Sequence, residues 1–307
     1  MYLCTDKIFY ELVGQRFDFV SVTSLHDFDA KDDVRGIIVR LGVVVSREII
    51  ERYKNLRFIA SITTGLDHVD LPACRERNIQ VISLKGETQF LRGICATPEH
   101  TWGLLLALLR KTVPATQSVH GGAWAREPFF GHELQGKTIG IIGLGRVGKI
   151  ISDYALAFRM KVMAFDILPI TKSGVENASL QKLLSESDIV TIHLPLDDST
   201  RHFLDVSVIT KMARRPWVIN TSRGAIVNQT DVIQALNLDL IRGYACDVLT
   251  EELSVTDGRI SSKLIDFSRI DDRVLITPHI AGSTFESMRS TAEFIFGKLC
   301  AQELIRT

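Results

Sequence analysis

Short apolar runs alternate with segments of helical spacing along almost the whole chain. In the first hundred residues, Phe17–Val22, Gly36–Val39, Phe58–Ser61 and Gln80–Ser83 read as strands, with short helices at Arg47–Tyr53 and Leu71–Arg77. Strand, helix, strand at this spacing implies right-handed crossovers and a parallel sheet. Strands of such a sheet are buried on both faces, which accounts for near-continuous apolar runs such as Ile37-Ile-Val39 and Val81-Ile-Ser-Leu84. From residue 136 onward the alternation strengthens. Strands are expected at Thr138–Ile142, Val162–Phe165, Ile189–His193, Trp217–Asn220, Tyr244–Asp247 and Val274–Ile276. Helices are expected at Val147–Phe158, Leu180–Ser185, Val206–Met212 and Thr230–Leu238. This is the element order of a six-stranded doubly wound sheet.

Between the two halves, Thr97-Pro98-Glu99 opens an apolar helix running through Leu109, with Thr97 expected as cap and Pro98 at the first helical position. We read it as the crossover from a first domain to a second. It is apolar on nearly all sides and needs cover all round. The run from Ser283 to about Leu304 is helical again and follows the last strand directly, so the chain is expected to return to the first domain there.

Composition narrows the function classes. A length of 307 residues suits about two domains. Lys plus Arg and Asp plus Glu both number 36, and this zero balance argues against a nucleic-acid binder that works through bulk charge. The longest apolar run, Trp102–Leu109, is far short of the roughly 20 residues that span a bilayer, so no membrane association is expected. Asp6, Lys7 and Glu11 interrupt what would be the apolar core of a signal peptide, which favours a cytoplasmic location. The five cysteines, at 4, 74, 95, 246 and 300, are scattered and show no CxxC spacing. Reduced thiols are expected, with neither a disulfide frame nor a metal site.

The most informative stretch is Gly136–Gly148. Gly143, Gly145 and Gly148 form GxGxxG directly after an expected strand and at the start of an expected helix. One glycine permits the tight turn, one lets the backbone approach a pyrophosphate, and one lets helix and strand pack closely. The first helical N–H groups, those of Arg146 and Val147, are then placed to bind phosphate oxygens. The next strand ends on an acidic residue, Asp166, 18 positions after Gly148. A carboxylate there accepts hydrogen bonds from an adenosine ribose and repels a 2′-phosphate, which favours NAD over NADP.

Three polar residues fall at strand ends of the second half, where the ligand crevice of an open α/β sheet lies: Arg223, Glu252 and His279. Taken singly, each reads equally as a surface charge or a satisfied polar residue. Together with their surroundings they carry more. The segments Gly136–Gly148, Asn220–Gly224, Asp247–Glu252 and Thr277–Gly282, with Ser61–Asp70 and Ala96–His100 in the first half, resemble the D-isomer-specific 2-hydroxyacid dehydrogenase family, of the phosphoglycerate dehydrogenase type. The match runs in order over most of the chain.

The resemblance implies an α/β protein of two doubly wound parallel-sheet domains. A Rossmann NAD-binding domain, residues 98–282, would be inserted into a smaller flavodoxin-like substrate-binding domain made of residues 1–97 and 283–307. It implies an oxidoreductase that moves a hydride between nicotinamide and C2 of a D-2-hydroxy acid or 2-keto acid. His279 would be the general acid/base, Glu252 would hold its other ring nitrogen and favour the protonated ring, and Arg223 would bind the substrate carboxylate. The backbone of Thr64 and Gly65 would bind the carboxylate from the other domain, and domain closure would exclude water. Thr64, Leu194, Thr221, Ser222, Asp247 and Gly282 would line the cofactor, with Asp247 facing the carboxamide. Arg40 would either reach a substrate phosphate or be a surface arginine at a strand end. Trp124 and Phe129-Phe130, after the apolar helix, would belong to the arms of a twofold homodimer.

The sequence departs from the family at Leu253, where proline is usual, at Thr63, where glycine is frequent, and in a long segment from Ser254 to Asp272. With the sequence ending at Thr307, C-terminal regulatory domains of the kind some phosphoglycerate dehydrogenases carry are not expected. An NADH-sensing, corepressor-like binding protein would use the same fold, and a methyltransferase would share the glycine loop but would not explain Arg223, Glu252 and His279.

Overall fold

The computed structural model describes residues 1–14, 17–26, 28, 33–255 and 258–305. The chain divides into two compact units, Met1–Ile94 with Ser283–Thr307, and Cys95–Gly282. The first boundary falls at 94/95 and not at the expected 97/98, because a helix begins at Ala96 and a cut at 97/98 would sever it.

In the first unit the order is β1 (Tyr2–Cys4), α1 (Lys7–Val13), β2 (Phe19–Ser21), β3 (Gly36–Val39), α2 (Arg47–Arg52), β4 (Phe58–Ser61), α3 (Leu71–Glu76), β5 (Gln80–Ile82) and α4 (Thr88–Leu91). The sheet runs β2-β1-β3-β4-β5, all parallel, which is the flavodoxin-like order. All four residues of β3 and of β4 are buried, as strands covered on both faces require. Asp6, Ser46 and Asp70 cap α1, α2 and α3 through their side chains. Strand β1 and helix α1 were not expected, and the strand expected at Phe17–Val22 shrinks to Phe19–Ser21.

The second unit opens with α5 (Ala96–Leu109) and α6 (Thr112–His120). It continues through β6 (Thr138–Ile142), α7 (Arg146–Ala157), β7 (Lys161–Phe165), β8 (Val175–Asn177), α8 (Leu180–Glu186), β9 (Ile189–Ile192) and α9 (Val206–Ile209). It ends with β10 (Trp217–Asn220), α10 (Gln229–Asn237), β11 (Gly243–Cys246), α11 (Lys263–Ser268) and β12 (Val274–Ile276). The sheet order β12-β11-β10-β9-β6-β7-β8, all parallel, is the Rossmann order extended by one strand. It has seven strands and not the expected six, because β8 forms an edge strand with only half-buried and exposed residues, which leaves no apolar run to read. One face of the sheet is covered by an apolar layer that includes Leu183, Val232 and Leu236, the other by α5 and α7 through Trp102, Leu105 and Ile151.

Helix α5 differs from expectation in two ways. Cys95 stands at the cap position without a side-chain cap bond, and Thr97 lies inside the helix, where its carbonyl accepts the Thr101 hydroxyl at 2.7 Å. Glu99, Gly103 and Arg110 are exposed and Leu106 half-buried, so one stripe of the helix is uncovered. Helix α6 buries none of its residues. The final helix, α12 (Phe285–Ala301), belongs to the first unit, where Phe294 stacks on Phe90 with ring centroids 4.0 Å apart and Lys298 pairs with Glu87 at 2.5 Å. No described helix is long and apolar enough to cross a membrane. Among the described residues no cluster of histidine, cysteine and carboxylates could hold a metal.

Candidate active site

The glycine loop lies where β6 gives way to α7, next to the end of β9. These two strands flank the switch point of the sheet, where ligands of open α/β folds bind. Gly143 has φ +90°, and a Cβ there would lie 2.6 Å from the His193 carbonyl oxygen, so only glycine fits. A Cβ on Gly148 would lie 2.3 Å from the Gly143 carbonyl oxygen, which marks the close approach of helix and turn. Gly145 is different. Its Cβ would meet nothing within 4 Å, and it caps α7 without a side-chain bond to the helical N–H groups. The open space and the exposed helix start are what a pyrophosphate needs. Gly282 also faces open space.

Asp166 ends β7 and accepts two backbone N–H groups, from Leu144 at 2.6 Å and Leu168 at 2.9 Å. It thus ties the glycine loop to its own strand end while staying half-buried. Leu194 is half-buried beside Gly143. Burial pushes the neighbouring His193 down to about 3, so this ring is neutral and adds no charge beside the loop.

Two further loops leave the carboxyl ends of β10 and β11. Asn220 is fully buried, and its amide oxygen accepts the Ser222 N–H and hydroxyl, while its amide nitrogen donates to the Arg223 carbonyl at 2.9 Å. The Thr221 hydroxyl donates to Thr101, whose own proton goes to the Thr97 carbonyl. The hydroxyls of Thr221 and Ser222 are therefore both directed into the protein. Arg223 Nη1 donates to the Ser222 carbonyl at 2.7 Å. Gly224 lets this loop lie against the next one. A Cβ there would be 2.1 Å from the Leu249 carbonyl carbon and 2.4 Å from Thr250 N, so Arg223 is held next to the loop that carries Glu252.

Glu252 meets His279, with Oε2 2.9 Å from Nδ1 and both side chains about a fifth exposed. A carboxylate only accepts, so Nδ1 carries a proton and donates it, which leaves Nε2 for other chemistry. His279 has φ +52°, a left-handed conformation that disfavours residues with a Cβ. Its N–H donates to the carbonyls of Asp247, at 2.8 Å, and Thr277, at 3.0 Å. The Asp247 carboxylate takes the Thr277 hydroxyl at 2.5 Å and the N–H groups of Ile280 and Ala281 at 2.9 and 2.7 Å. Burial alone would raise the pKa of Asp247, but hydrogen bonds from His100, Thr277, Ala281 and Ile280 outweigh it and hold the carboxyl below its ordinary value. The side chain is fully buried and faces this loop.

In the first unit, Thr64 is exposed and Gly65 half-buried on the loop after β4. Thr63 Oγ1 donates to the Gly65 carbonyl at 2.7 Å. Its one proton being used there, it accepts from Ser61 Oγ at 2.7 Å, and Ser61 in turn accepts from His68 Nε2 at 3.1 Å. Arg40 is not a surface arginine. Its Nε pairs with the buried Asp6, Nη1 lies 3.4 Å from the Ile62 carbonyl, and Nη2 is buried without a hydrogen-bond partner among the described residues. Of the long segment from Ser254 to Asp272, residues 256 and 257 lie outside those described, and the rest includes α11.

His100, Asn220 and Gly224 were not singled out from the sequence. Asn220 and Gly224 bound the Asn220–Gly224 segment of the resemblance and were legible as strand-end turn chemistry. His100 falls in the Ala96–His100 segment of the resemblance, but its contact was not readable because its partner Thr277 is 177 positions away.

The fold and the glycine loop define the second unit as an NAD-binding domain, and comparison with known proteins agrees. Residues 102–281 match the model of the D-isomer specific 2-hydroxyacid dehydrogenase, NAD binding domain. The chain is 35% identical to a hydroxypyruvate reductase of Thermotoga maritima over 84% of its own length and 81% of that protein. It is 32% identical to a glyoxylate reductase of Thermofilum pendens over 88% of this chain and 78% of the other. Among solved structures it is similar to D-lactate dehydrogenase from Aquifex aeolicus complexed with NAD and lactic acid, with TM-score 0.83, 25% identity and coverage of 98% and 95%. The chain belongs to the D-isomer-specific 2-hydroxyacid dehydrogenase family and is an NAD-dependent oxidoreductase.

Proposed function

We propose that the chain interconverts small 2-keto acids and D-2-hydroxy acids, with His279 as proton donor and acceptor, Glu252 as its orienting partner and Arg223 as the carboxylate clamp. The 2.9 Å contact between His279 Nδ1 and Glu252 Oε2 carries this reading. NADH, when held at the glycine loop, would supply the hydride for C2. With Nδ1 donating to Glu252, Nε2 gives a proton to the C2 oxygen in reduction and takes it back in oxidation. The planar fork of Arg223 suits a carboxylate with its adjacent keto oxygen. In the first unit, the main chain of Thr64 and Gly65 offers donors for substrate.

For the cofactor, the N–H groups of Arg146 and Val147 take pyrophosphate oxygens, Gly145 and Gly282 leave room, and Asp166 takes the adenosine ribose. Leu194 offers apolar surface. Thr221 and Ser222 contribute through their main chain, since their hydroxyls are bonded elsewhere. Asp247 acts by shaping the loop that carries His279. Arg40, its charge met by Asp6, has no part in this reading. A panel of glyoxylate, hydroxypyruvate and phosphohydroxypyruvate with NADH tests this. Turnover should be fastest with one of the first two. Tight NADH binding without turnover of any acid would reject the enzyme reading in favour of an NADH-sensing binding protein.

We also propose a homodimer. Support comes from the open stripe of α5 and from exposed apolar side chains beyond it, among them Val119, Trp124 and Phe130. Sedimentation should give about twice the chain mass at micromolar concentration, and a monomer would remove the claim.

A further inference from the structure

We infer that His100 and Thr277 are positioning residues for His279, acting through the buried Asp247. The inference rests on the acid/base reading above. His279 sits in a left-handed backbone conformation, so its loop must be held by more than local preference. The holding groups are few and nameable. Asp247 fixes both sides of His279, through its carbonyl to the His279 N–H and through its carboxylate to the N–H groups of Ile280 and Ala281. A carboxylate that is itself loosely held would transmit that looseness to the imidazole.

Thr277 and His100 remove this freedom. The Thr277 hydroxyl proton goes to Asp247 Oδ1 at 2.5 Å, so its oxygen is left as an acceptor. His100 Nε2 lies 2.9 Å from that oxygen and 3.4 Å from Asp247 Oδ1. His100 therefore donates through Nε2–H into the Thr277–Asp247 pair. It stands on the long helix α5, packed against the sheet, so the array links the loop of His279 to a rigid element. Neither His100 nor Thr277 needs to touch the reacting atoms for this role. A displacement of about 1 Å at the reacting group is enough to lower a rate by about a hundredfold.

The test uses full-length variants with NADH and the best keto acid of the panel. Thr277→Val and His100→Phe remove the donors and keep the shapes, whereas Thr277→Ser and His100→Gln keep a donor near the same place. The expected result is a kcat lowered about ten- to a hundredfold in the first pair, with keto-acid KM and NADH Kd within about twofold of wild type, and most of the rate restored in the second pair. In a His279→Ala background, Thr277→Val should lower kcat no further, because there is no imidazole left to position. Unchanged kcat in Thr277→Val and His100→Phe, beside a crippled His279→Ala, would overturn the positioning role alone. NADH affinity falling in step with kcat would overturn it as well, by assigning the array to the dinucleotide. A His279→Ala enzyme with near-normal turnover would remove the acid/base reading, and this inference with it.

Discussion

Two loops at the carboxyl ends of parallel strands, one in each unit, are built alike and held differently. Ser61–Asp70 starts at the last residue of β4, and Thr277–Gly282 follows β12. Each has a threonine and a histidine in its hydrogen-bond network. In the first loop the bonds run between side-chain groups and one carbonyl: His68 to Ser61, Ser61 to Thr63, Thr63 to the Gly65 carbonyl. In the second it centres on a buried carboxylate with four donors. The difference follows the backbone. No residue of the first loop has positive φ, whereas His279 does. Hydrogen bonds to an ionised acceptor are roughly twice as strong as neutral ones, so a carboxylate can hold a conformation that hydroxyls alone would lose. Burying that carboxylate is tolerable only because its acceptor sites are filled.

The comparison makes the second loop the one that chemistry depends on, and the largest effect should be there. His279→Ala is expected to lower kcat by about 10²–10⁴-fold while leaving NADH affinity nearly unchanged, since the dinucleotide contacts proposed here lie at the glycine loop and Asp166. Steady-state rates with fluorescence titration of NADH check both halves. A Glu252→Gln variant should fall between this and wild type, because an amide can still accept from Nδ1–H but brings no charge.

The anchor itself comes next. Asp247→Asn keeps the shape but turns one acceptor into a donor, which would face the Ala281 or Ile280 N–H. Leaving such a buried N–H unsatisfied costs about 1–3 kcal/mol, read as a lower Tm. The pH dependence has a definite sign. The folded-state pKa of Asp247 is depressed, so its contribution to stability is fully present above the ordinary carboxylate value near 4 and is lost as pH falls through the folded value. Wild type should therefore lose more stability than Asp247→Asn between about pH 4 and lower pH. Parallel curves would show that the carboxylate charge is not what holds the loop.

A carboxylate also anchors the glycine loop, at Asp166, and this sharpens the comparison. Asp166→Ala should narrow the preference for NADH over NADPH by removing the charge that repels a 2′-phosphate. It should weaken NADH itself by about two- to tenfold as well, because the Leu144 N–H loses its acceptor. A narrowed ratio with unchanged NADH affinity would mean that the Leu144 bond does not shape the loop.

What was readable in the sequence follows the same physics. The central strands, such as β3, β4, β9 and β10, are buried on both faces and write continuous apolar runs. The strands that were missed are short: β1 is three residues long, and β8 is a three-residue edge strand with the sequence Val-Glu-Asn. Helix α6 buries nothing and holds Pro114, so it has no apolar period to find. The glycine loop was legible because each glycine has a separate steric task. Arg223, Glu252 and His279 were legible only through resemblance, since nothing local distinguishes them from surface charges. The role of His100 was not legible, because it exists only once α5 and the β12 loop are side by side.

The smallest effect is expected at Thr63, and it tests the first-loop half of the comparison. This residue stands where glycine is frequent in the family, and its hydroxyl closes a bond to the Gly65 carbonyl. That bond turns the carbonyl inward, toward its own loop. Thr63→Val keeps the branched shape but deletes both the donor to Gly65 and the acceptor for Ser61. A neutral hydrogen bond contributes about 0.5–1.5 kcal/mol, so the loop should loosen by a factor of about two to ten. If the Thr64–Gly65 backbone binds the substrate carboxylate, that factor should appear in the keto-acid KM, with kcat changed less than twofold and NADH affinity unaffected. Thr63→Ser retains the hydroxyl and should stay near wild type. A Thr63→Val enzyme that instead loses kcat at constant KM would show that this loop, too, serves the chemical step, and the division of labour between the two loops would be wrong.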